Sequence, residues 1–270
     1  RADLYNQTAR ILTSTSFLVH RLTGRYVIDH YTAANFSPLY DVSTQSWIED
    51  LADDIVDLEK LPELLWSTDI AGYVTKSAAQ ATGLAEGTPI TAGTIDAAAE
   101  AVSVGVNTPG DMMAMYGSTI FIILRTAQRV SDPRLWYAPW LFEGEHASMA
   151  GLATSGTLTH WFRDQFAKDL DPEEAFPLLA LEAQESPPGA KGLLLLPYFS
   201  GERTPIHDAN AKGSFFGLNL THTRGDMYRA LIEGIAYGTR HVTDTFSEIG
   251  HSPHRLLAVG RGIKKPVWPQ

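Results

Sequence analysis

Three stretches of the chain place glycine beside hydroxyls or a carboxylate just after an apolar run: Ala92-Gly93-Thr94-Ile95-Asp96, Tyr116-Gly117-Ser118-Thr119 and Val259-Gly260-Arg261-Gly262. Glycine leaves backbone N–H groups unscreened and neighbouring hydroxyls add donors, so turns of this composition can cradle a phosphate. The same composition also serves as plain turn punctuation, and both readings stand. Asp96 opens the alanine run Ala97-Ala98-Ala99, which suits a helix N-cap. A carboxylate at the C-terminal edge of a sheet also suits a general base that takes a hydroxyl proton as a phosphoryl acceptor attacks. The two roles are compatible.

Other chemistries lack their residues. Neither G-x-G-x-x-G nor G-x-x-x-x-G-K-[ST] occurs, which removes support for the common dinucleotide fingerprint and the P-loop. There is no G-x-S-x-G elbow, and zero Cys excludes disulfides, thiolate zinc sites and Cys nucleophiles, which fits a reducing cytoplasm. His251-x-x-His254 is interrupted by Pro253 and followed by Arg255, a surface loop rather than a metal site. Glu143 with Glu145, and Asp53 with Asp54, read as solvated faces rather than a glycosidase pair.

The elements that must position these turns follow from apolar spacing. Leu4 to Leu22 carries a loose helical stripe that stops at Thr23-Gly24, and Trp47 to Leu58 reads as a second helix. Ala71 to Val74 is strand-like; Thr75 to Gly83 is a short helix with Thr75 or Ser77 as N-cap and Gly83 as its end. Thr88 to Gly93 reads as a buried strand and Asp96 to Val104 as a helix. Asn107-Thr108-Pro109-Gly110-Asp111 is the strongest turn cluster of the middle region and sets the expected domain boundary, 1–109 and 110–270. Beyond it, Met112 to Met115 and Ile120 to Arg125 form a hairpin around Gly117-Ser118-Thr119. Leu152 to Phe166 turns at Gly156 into a helix. Ser186 to Gly189 is a loop and Leu193 to Leu196 a buried strand. Arg224 to Ile249 is the clearest helix, opened by the capping pair Thr223 and Asp226 and stopped by Gly250; Arg255 to Val259 is a final strand. Strands alternating with helices predict an α/β architecture.

Composition bounds the rest. A chain of 270 residues, at ~150 per domain, is one large or two modest domains, and 44% hydrophobic residues suffice for a packed core. The 21 basic and 31 acidic residues leave a formal net charge of −10, which opposes nucleic-acid binding. No apolar run approaches the roughly 20 residues of a membrane span, so a cytoplasmic protein without membrane or nucleic-acid partners is expected.

The ordered segments resemble the FGGY family of carbohydrate kinases, most closely its xylulokinase branch. Leu195 to Pro205, LLPYFSGERTP, is similar to that branch's PYLSGERTP block. Gly213 to Leu218 followed after seven residues by Asp226 to Glu233 is similar to the family's second pattern. Arg21-Leu22-Thr23-Gly24 with Asp29 resembles the family's RLTGE...D segment, and Ala92 to Asp96 stands where the family has AGGGD. The resemblance implies an actin-like, ribonuclease-H-like two-domain fold that closes over a sugar and moves the γ-phosphate of ATP onto a sugar hydroxyl with magnesium. It implies Asp96 as the catalytic base, also in contact with the sugar, and Gly117, Ser118 and Thr119 as a phosphate-binding turn. It further implies nucleotide contacts at Gly156, His160, Gly260 and Gly262. Residues 1–109 would be the remainder of a sugar-binding domain and 110–270 most of a nucleotide-binding domain.

Departures from the pattern are specific. The family's early Asp-x-Gly-Thr phosphate loop is not found, and the chain stops inside the adenosine region, so a piece lacking both ends is expected. Ala97 replaces the usual xylulokinase Asn, Gly-Ser-Thr-Ile replaces Gly-Thr-Ser-Gly at 117–120, and Arg261 takes a usual glycine. These substitutions keep open a non-catalytic sugar- or nucleotide-binding paralogue, and a homodimer stays open as well.

Overall fold

A computed structural model describes residues 2–52 and 55–260. Contacts divide the chain into two compact units. The first comprises Arg1–Asn107, Thr126–Val130 and Tyr137–Ala147; the second comprises Thr108–Arg125, Ser131–Trp136 and Ser148–Gln270.

The first unit begins with α1 (Ala2–Gln7) and α2 (Ser14–Thr23), followed by β1 (Val27–Asp29) and α3 (His30–Ala33). The single helix expected over 4–22 is therefore two. The Thr13 hydroxyl accepts the Ser16 N–H and opens a new helix, while the Ile11 N–H donates to the Lys60 carbonyl and cannot serve a helix. Next come β2 (Tyr40–Asp41), β3 (Ser46–Trp47) and α4 (Glu49–Ala52), with a short 3-10 turn at Leu58–Lys60. The helix expected over 47–58 does not form at its start, because Trp47 pairs with Tyr40 in a two-stranded ladder and its indole N–H donates to the Pro62 carbonyl.

β4 (Glu63–Leu65) lies parallel to β1, and β5 (Ile70–Tyr73) pairs antiparallel with β6 (Pro89–Thr91). Between them stands α5 (Lys76–Thr82), capped as expected: the Thr75 hydroxyl accepts the Ala78 N–H, and Gly83 ends it in the left-handed region at φ 79°. β6 is less buried than expected, with Pro89 and Thr91 exposed on either side of Ile90. It leads through Ala92–Ile95 into α6 (Asp96–Ser103). Buried Tyr31 meets Trp140 edge-on, with ring centroids 5.5 Å apart, at the heart of this unit.

The second unit is organised on β7 (Asp111–Tyr116), β8 (Ile120–Thr126), β10 (His146–Leu152) and β13 (Arg255–Val259), which with β9 (Trp136–Pro139) make a five-stranded sheet in the order β13-β7-β8-β10-β9. β7 and β8 form the expected hairpin, and β13 runs parallel to β7. Met112, Met113, Ile122, Ile123 and Leu124 are buried. After the sheet come α7 (Gly156–Phe166) and α8 (Ala175–Glu185), then β11 (Leu194–Leu196), β12 (Ser214–Phe216) and α9 (Arg224–Glu248). β11, expected to be buried, pairs with β12 and buries only Leu195, leaving Leu194 and Leu196 half exposed, the alternation of a two-faced strand.

α9 is held by its cap. The Thr223 hydroxyl accepts the Asp226 N–H while the Asp226 carboxylate accepts the Thr223 N–H, a complete capping box. Asp226 is buried and also accepts the Ser186 hydroxyl at 2.7 Å and pairs with Lys191 at 3.0 Å. Burial opposes its ionisation, but these donors outweigh burial and hold the carboxyl below its ordinary value. A depressed carboxyl stabilises the fold above its unfolded pKa and loses that contribution as pH falls through the folded one. Replacing Asp226 with Asn is expected to cost about 1–3 kcal/mol in denaturant unfolding at pH 7, with the difference shrinking only as pH falls below the ordinary carboxyl range and still largely present at about pH 3, because the folded carboxyl is held far lower.

Candidate functional site

Within the second unit, three segments meet at the C-terminal end of β7. The Tyr116-Gly117-Ser118-Thr119 turn closes the β7–β8 hairpin through the Gly117 N–H, which donates to the Thr119 carbonyl at 3.0 Å. The start of α7 clasps this turn. The Gly156 N–H donates to the Gly117 carbonyl, and the N–H groups of Ser155 and Thr157 donate to the Ser118 carbonyl, with lengths of 3.0 to 3.1 Å. The Thr157 hydroxyl adds a further bond to the Ser118 carbonyl at 3.0 Å. A Cβ at Gly156 would stand 2.6 Å from the Gly117 oxygen, so only glycine permits the approach. On the other side, Gly260 ends β13 at φ 99°, and a Cβ there would collide with the Tyr116 carbonyl.

This geometry brings Gly117, Ser118, Thr119, Gly156 and Gly260 together, although they lie up to 143 positions apart in the chain (260 − 117). Gly117 and Ser118 are exposed, and the hydroxyls of Ser118 and Thr119 make no hydrogen bond among the described residues. Hydroxyl donors left without a protein partner suit phosphate oxygens. The first N–H groups of α7 do not serve that role, because the hairpin carbonyls already occupy them. His160 lies one turn along α7, exposed, with its ring edge-on to Phe176 at 4.9 Å. Gly262 and Arg261 lie outside the described residues.

A residue that the spacing of motifs did not single out supports this turn from behind. Glu202, within the LLPYFSGERTP stretch, is buried, and its Oε1 accepts the Ala153 N–H at 2.9 Å and the Arg203 N–H at 2.7 Å. It thereby fixes the link between β10 and α7 just ahead of Ser155. Its Oε2 is buried with no hydrogen bond among the described residues, and burial raises the carboxyl pKa above 4.5 against the pull of the two backbone donors.

In the first unit, Asp96 is the first residue of α6 rather than its N-cap. Ile95 occupies the cap with no side-chain bond, and Asp96 Oδ1 accepts the Ala97 N–H at 2.8 Å. The chain enters α6 with Ile95 extended at φ −77° and ψ 164°, so Ile95 takes the cap position and helical geometry begins at Asp96. The Asp96 side chain is solvent-accessible. Among the described residues no three of His, Cys, Asp or Glu gather as a metal cage, and no helix is long and apolar enough to cross a membrane.

Comparison with known proteins decides the lineage. The N-terminal domain model of the FGGY family of carbohydrate kinases matches residues 1–103, and the C-terminal domain model matches residues 112–270. The chain belongs to the FGGY family of carbohydrate kinases. It is 29% identical to the xylulose kinase of Bacillus subtilis (strain 168), covering 99% of this chain and 53% of that protein. The fold is that of the family's solved members. The crystal structure of xylulose kinase from Rhodospirillum rubrum matches with a TM-score of 0.90 at 33% identity, covering all of this chain and 54% of that one. Gluconate kinase from Lactobacillus acidophilus matches with a TM-score of 0.87 at 26% identity and the same coverage. The chain thus spans about half the length of the relatives it matches, as the sequence led us to expect from its resemblance. It has the family's actin-like α/β fold.

Two substitutions test the second-unit geometry. Gly156→Ala is expected to lower unfolding stability by about 1–3 kcal/mol, as overpacking does, and to alter the backbone NMR shifts of residues 117–119. Glu202 bears the opposite sign to Asp226. A raised carboxyl retains its proton in the folded state after the unfolded chain has lost it, so stability falls as pH rises from about 4.5 to the folded value. Unfolding free energy measured from pH 4 to 8 is expected to fall less steeply over that window in Glu202→Gln than in the unaltered protein.

Proposed function

We propose that the complete protein carrying this chain is an ATP-dependent carbohydrate kinase that transfers the γ-phosphate of ATP to a hydroxyl of a pentulose or a related ketose or polyol. Similarity to xylulose kinases over nearly the whole chain favours a pentulose acceptor. The observation that supports the reading is the Gly117-Ser118-Thr119 turn, clasped by Gly156 and abutted by Gly260, whose Ser118 and Thr119 hydroxyls have no partner among the described residues. A polyphosphate is the ligand class such a turn suits.

In this reading the second unit binds the nucleotide through Gly117, Ser118, Thr119, Gly156, His160 and Gly260, with Gly262 beyond the described residues. The first unit holds the sugar and supplies Asp96. The carboxylate of Asp96 accepts the proton of the acceptor hydroxyl. As it does so, the hydroxyl oxygen bonds to the γ-phosphorus and the bond from that phosphorus to the β–γ bridging oxygen breaks, releasing ADP. Such a loose phosphoryl transfer needs positioning and charge stabilisation more than covalent help. Magnesium, carried with the nucleotide, would neutralise charge between the β- and γ-phosphates. An ion of this kind would be held largely by the phosphate oxygens themselves. The cysteine-free composition fits a cytoplasmic enzyme.

Turnover of the complete protein with ATP, magnesium and a panel of ketoses, polyols and gluconate tests the proposal. Asp96→Asn is expected to lower kcat by about 100-fold or more, the loss typical of a positioned base. Equal turnover by both forms would remove Asp96 from that role. ATP binding by calorimetry without transfer to any acceptor would assign the protein instead to non-catalytic binding.

A further inference from the structure

The first unit contains a buried carboxylate that the proposed chemistry does not use directly. Asp29 closes β1 at 2% exposure and caps α3, accepting the Thr32 N–H at 3.3 Å. The same oxygen, Oδ2, accepts the Ser67 hydroxyl at 3.0 Å and the Thr94 hydroxyl at 2.9 Å. These donors come from separate segments: the start of α3, the turn between β4 and β5, and the loop between β6 and α6. An ionised carboxylate only accepts, so both hydroxyls must point their protons at it, and each bond is charge-assisted. Burial raises the carboxyl pKa, and the three donors oppose that rise.

Thr94 lies two residues before Asp96. The loop that joins β6 to α6 is otherwise held by its backbone: the Ala92 N–H donates to the Asp69 carbonyl and the Gly93 N–H to the Ser67 carbonyl, each at 3.0 Å. The Thr94 carbonyl accepts the Thr15 hydroxyl at 3.1 Å. Ile95 gives α6 no side-chain cap, and the Asp96 carboxylate itself accepts only the N–H of the next residue, Ala97, at 2.8 Å. The loop's own side-chain bond to another segment is the one from the Thr94 hydroxyl to Asp29.

We propose that Asp29 is a positioning residue for the transfer reaction: through the Thr94 hydroxyl it fixes the turn that carries the Asp96 carboxylate. The inference rests on the reading of Asp96 as the base. The resemblance places AGGGD at this turn, and a glycine at position 94 could not make the bond, so the tether belongs to the threonine of this chain. Its consequence is local order at the acceptor side. A carboxylate that wanders by about 1 Å loses much of its effect, on the order of 100-fold in a sensitive case.

The test is a double-mutant cycle in the complete protein, with kcat, the KM for ATP and thermal unfolding measured for every form. Thr94→Val, which keeps the shape and removes the hydroxyl, is expected to lower kcat about 10-fold to 100-fold while the KM for ATP stays within about twofold. Thr94→Ser is expected to restore kcat to within about threefold of the unaltered protein. In the Asp96→Asn background, Thr94→Val is expected to cause no further loss, because its effect runs through the carboxylate already removed. An unchanged kcat in Thr94→Val, equal losses in the Val and Ser forms, or a full additional loss in the Asp96→Asn background would each overturn the proposal while leaving Asp96 as the base. Full activity of Asp96→Asn would instead overturn the reading of the base, and this inference with it. Should Thr94→Val unfold, Asp29→Asn replaces it in the same cycle with the same expected non-additivity, and additivity there likewise overturns the tether.

Discussion

Two backbones can touch only where no Cβ stands between them, and the candidate nucleotide end of the second unit depends on that constraint. The hairpin turn at Gly117 and Ser118 offers its carbonyls to the first N–H groups of α7, while the end of β13 lies against Tyr116. A side chain at Gly156 or Gly260 would push one segment away from the turn. Closeness of this kind also consumes the helix-start donors that would otherwise face an anion. The outward chemistry therefore falls to the turn itself, to the hydroxyls of Ser118 and Thr119, because both Gly117 backbone groups are already bonded.

Around this constraint the chain uses buried carboxylates as junctions. Asp29, Glu202 and Asp226 are each nearly inaccessible and each gathers donors from segments distant in sequence. Burial disfavours the charge in all three, and the balance with the donors differs. Asp226, with a capping box, Ser186 and Lys191, ends below its ordinary pKa, whereas Asp29 and Glu202 end above theirs. The first pins α9 to the Ser186–Lys191 loop. The other two stand behind loops that carry candidate functional groups, the Gly93–Asp96 turn and the approach to Ser155.

Membership of the FGGY family gives these junctions a common sense. The proposed phosphoryl transfer would need little covalent work and much positioning, so what holds a turn or a carboxylate still would matter most. The groups proposed to meet ligands, Asp96 at the start of α6 and Ser118 and Thr119 on the hairpin turn, are small. The buried groups behind them supply the rigidity that such turns lack alone.

Local rules in the sequence determined much of this. Thr75 and Gly83 bound α5, Thr223 and Asp226 open α9, and the apolar runs around Gly117 form the hairpin, because caps, tight turns and strand pairs of near neighbours are decided within a few residues. The ordered motifs from Arg21 to Glu233 were enough to indicate the family. Tertiary structure alone decided where helices break, as at Thr13, since the Lys60 carbonyl that takes the Ile11 N–H is far along the chain, and it added the bond from the Trp47 indole to the Pro62 carbonyl. It also decided that Ser67 and Thr94, 38 and 65 positions from Asp29, share one oxygen, and that Gly156 sits on the Gly117 carbonyl. Hydroxyls and glycines carry no periodicity that names a distant partner; only packing brings the donor to its acceptor.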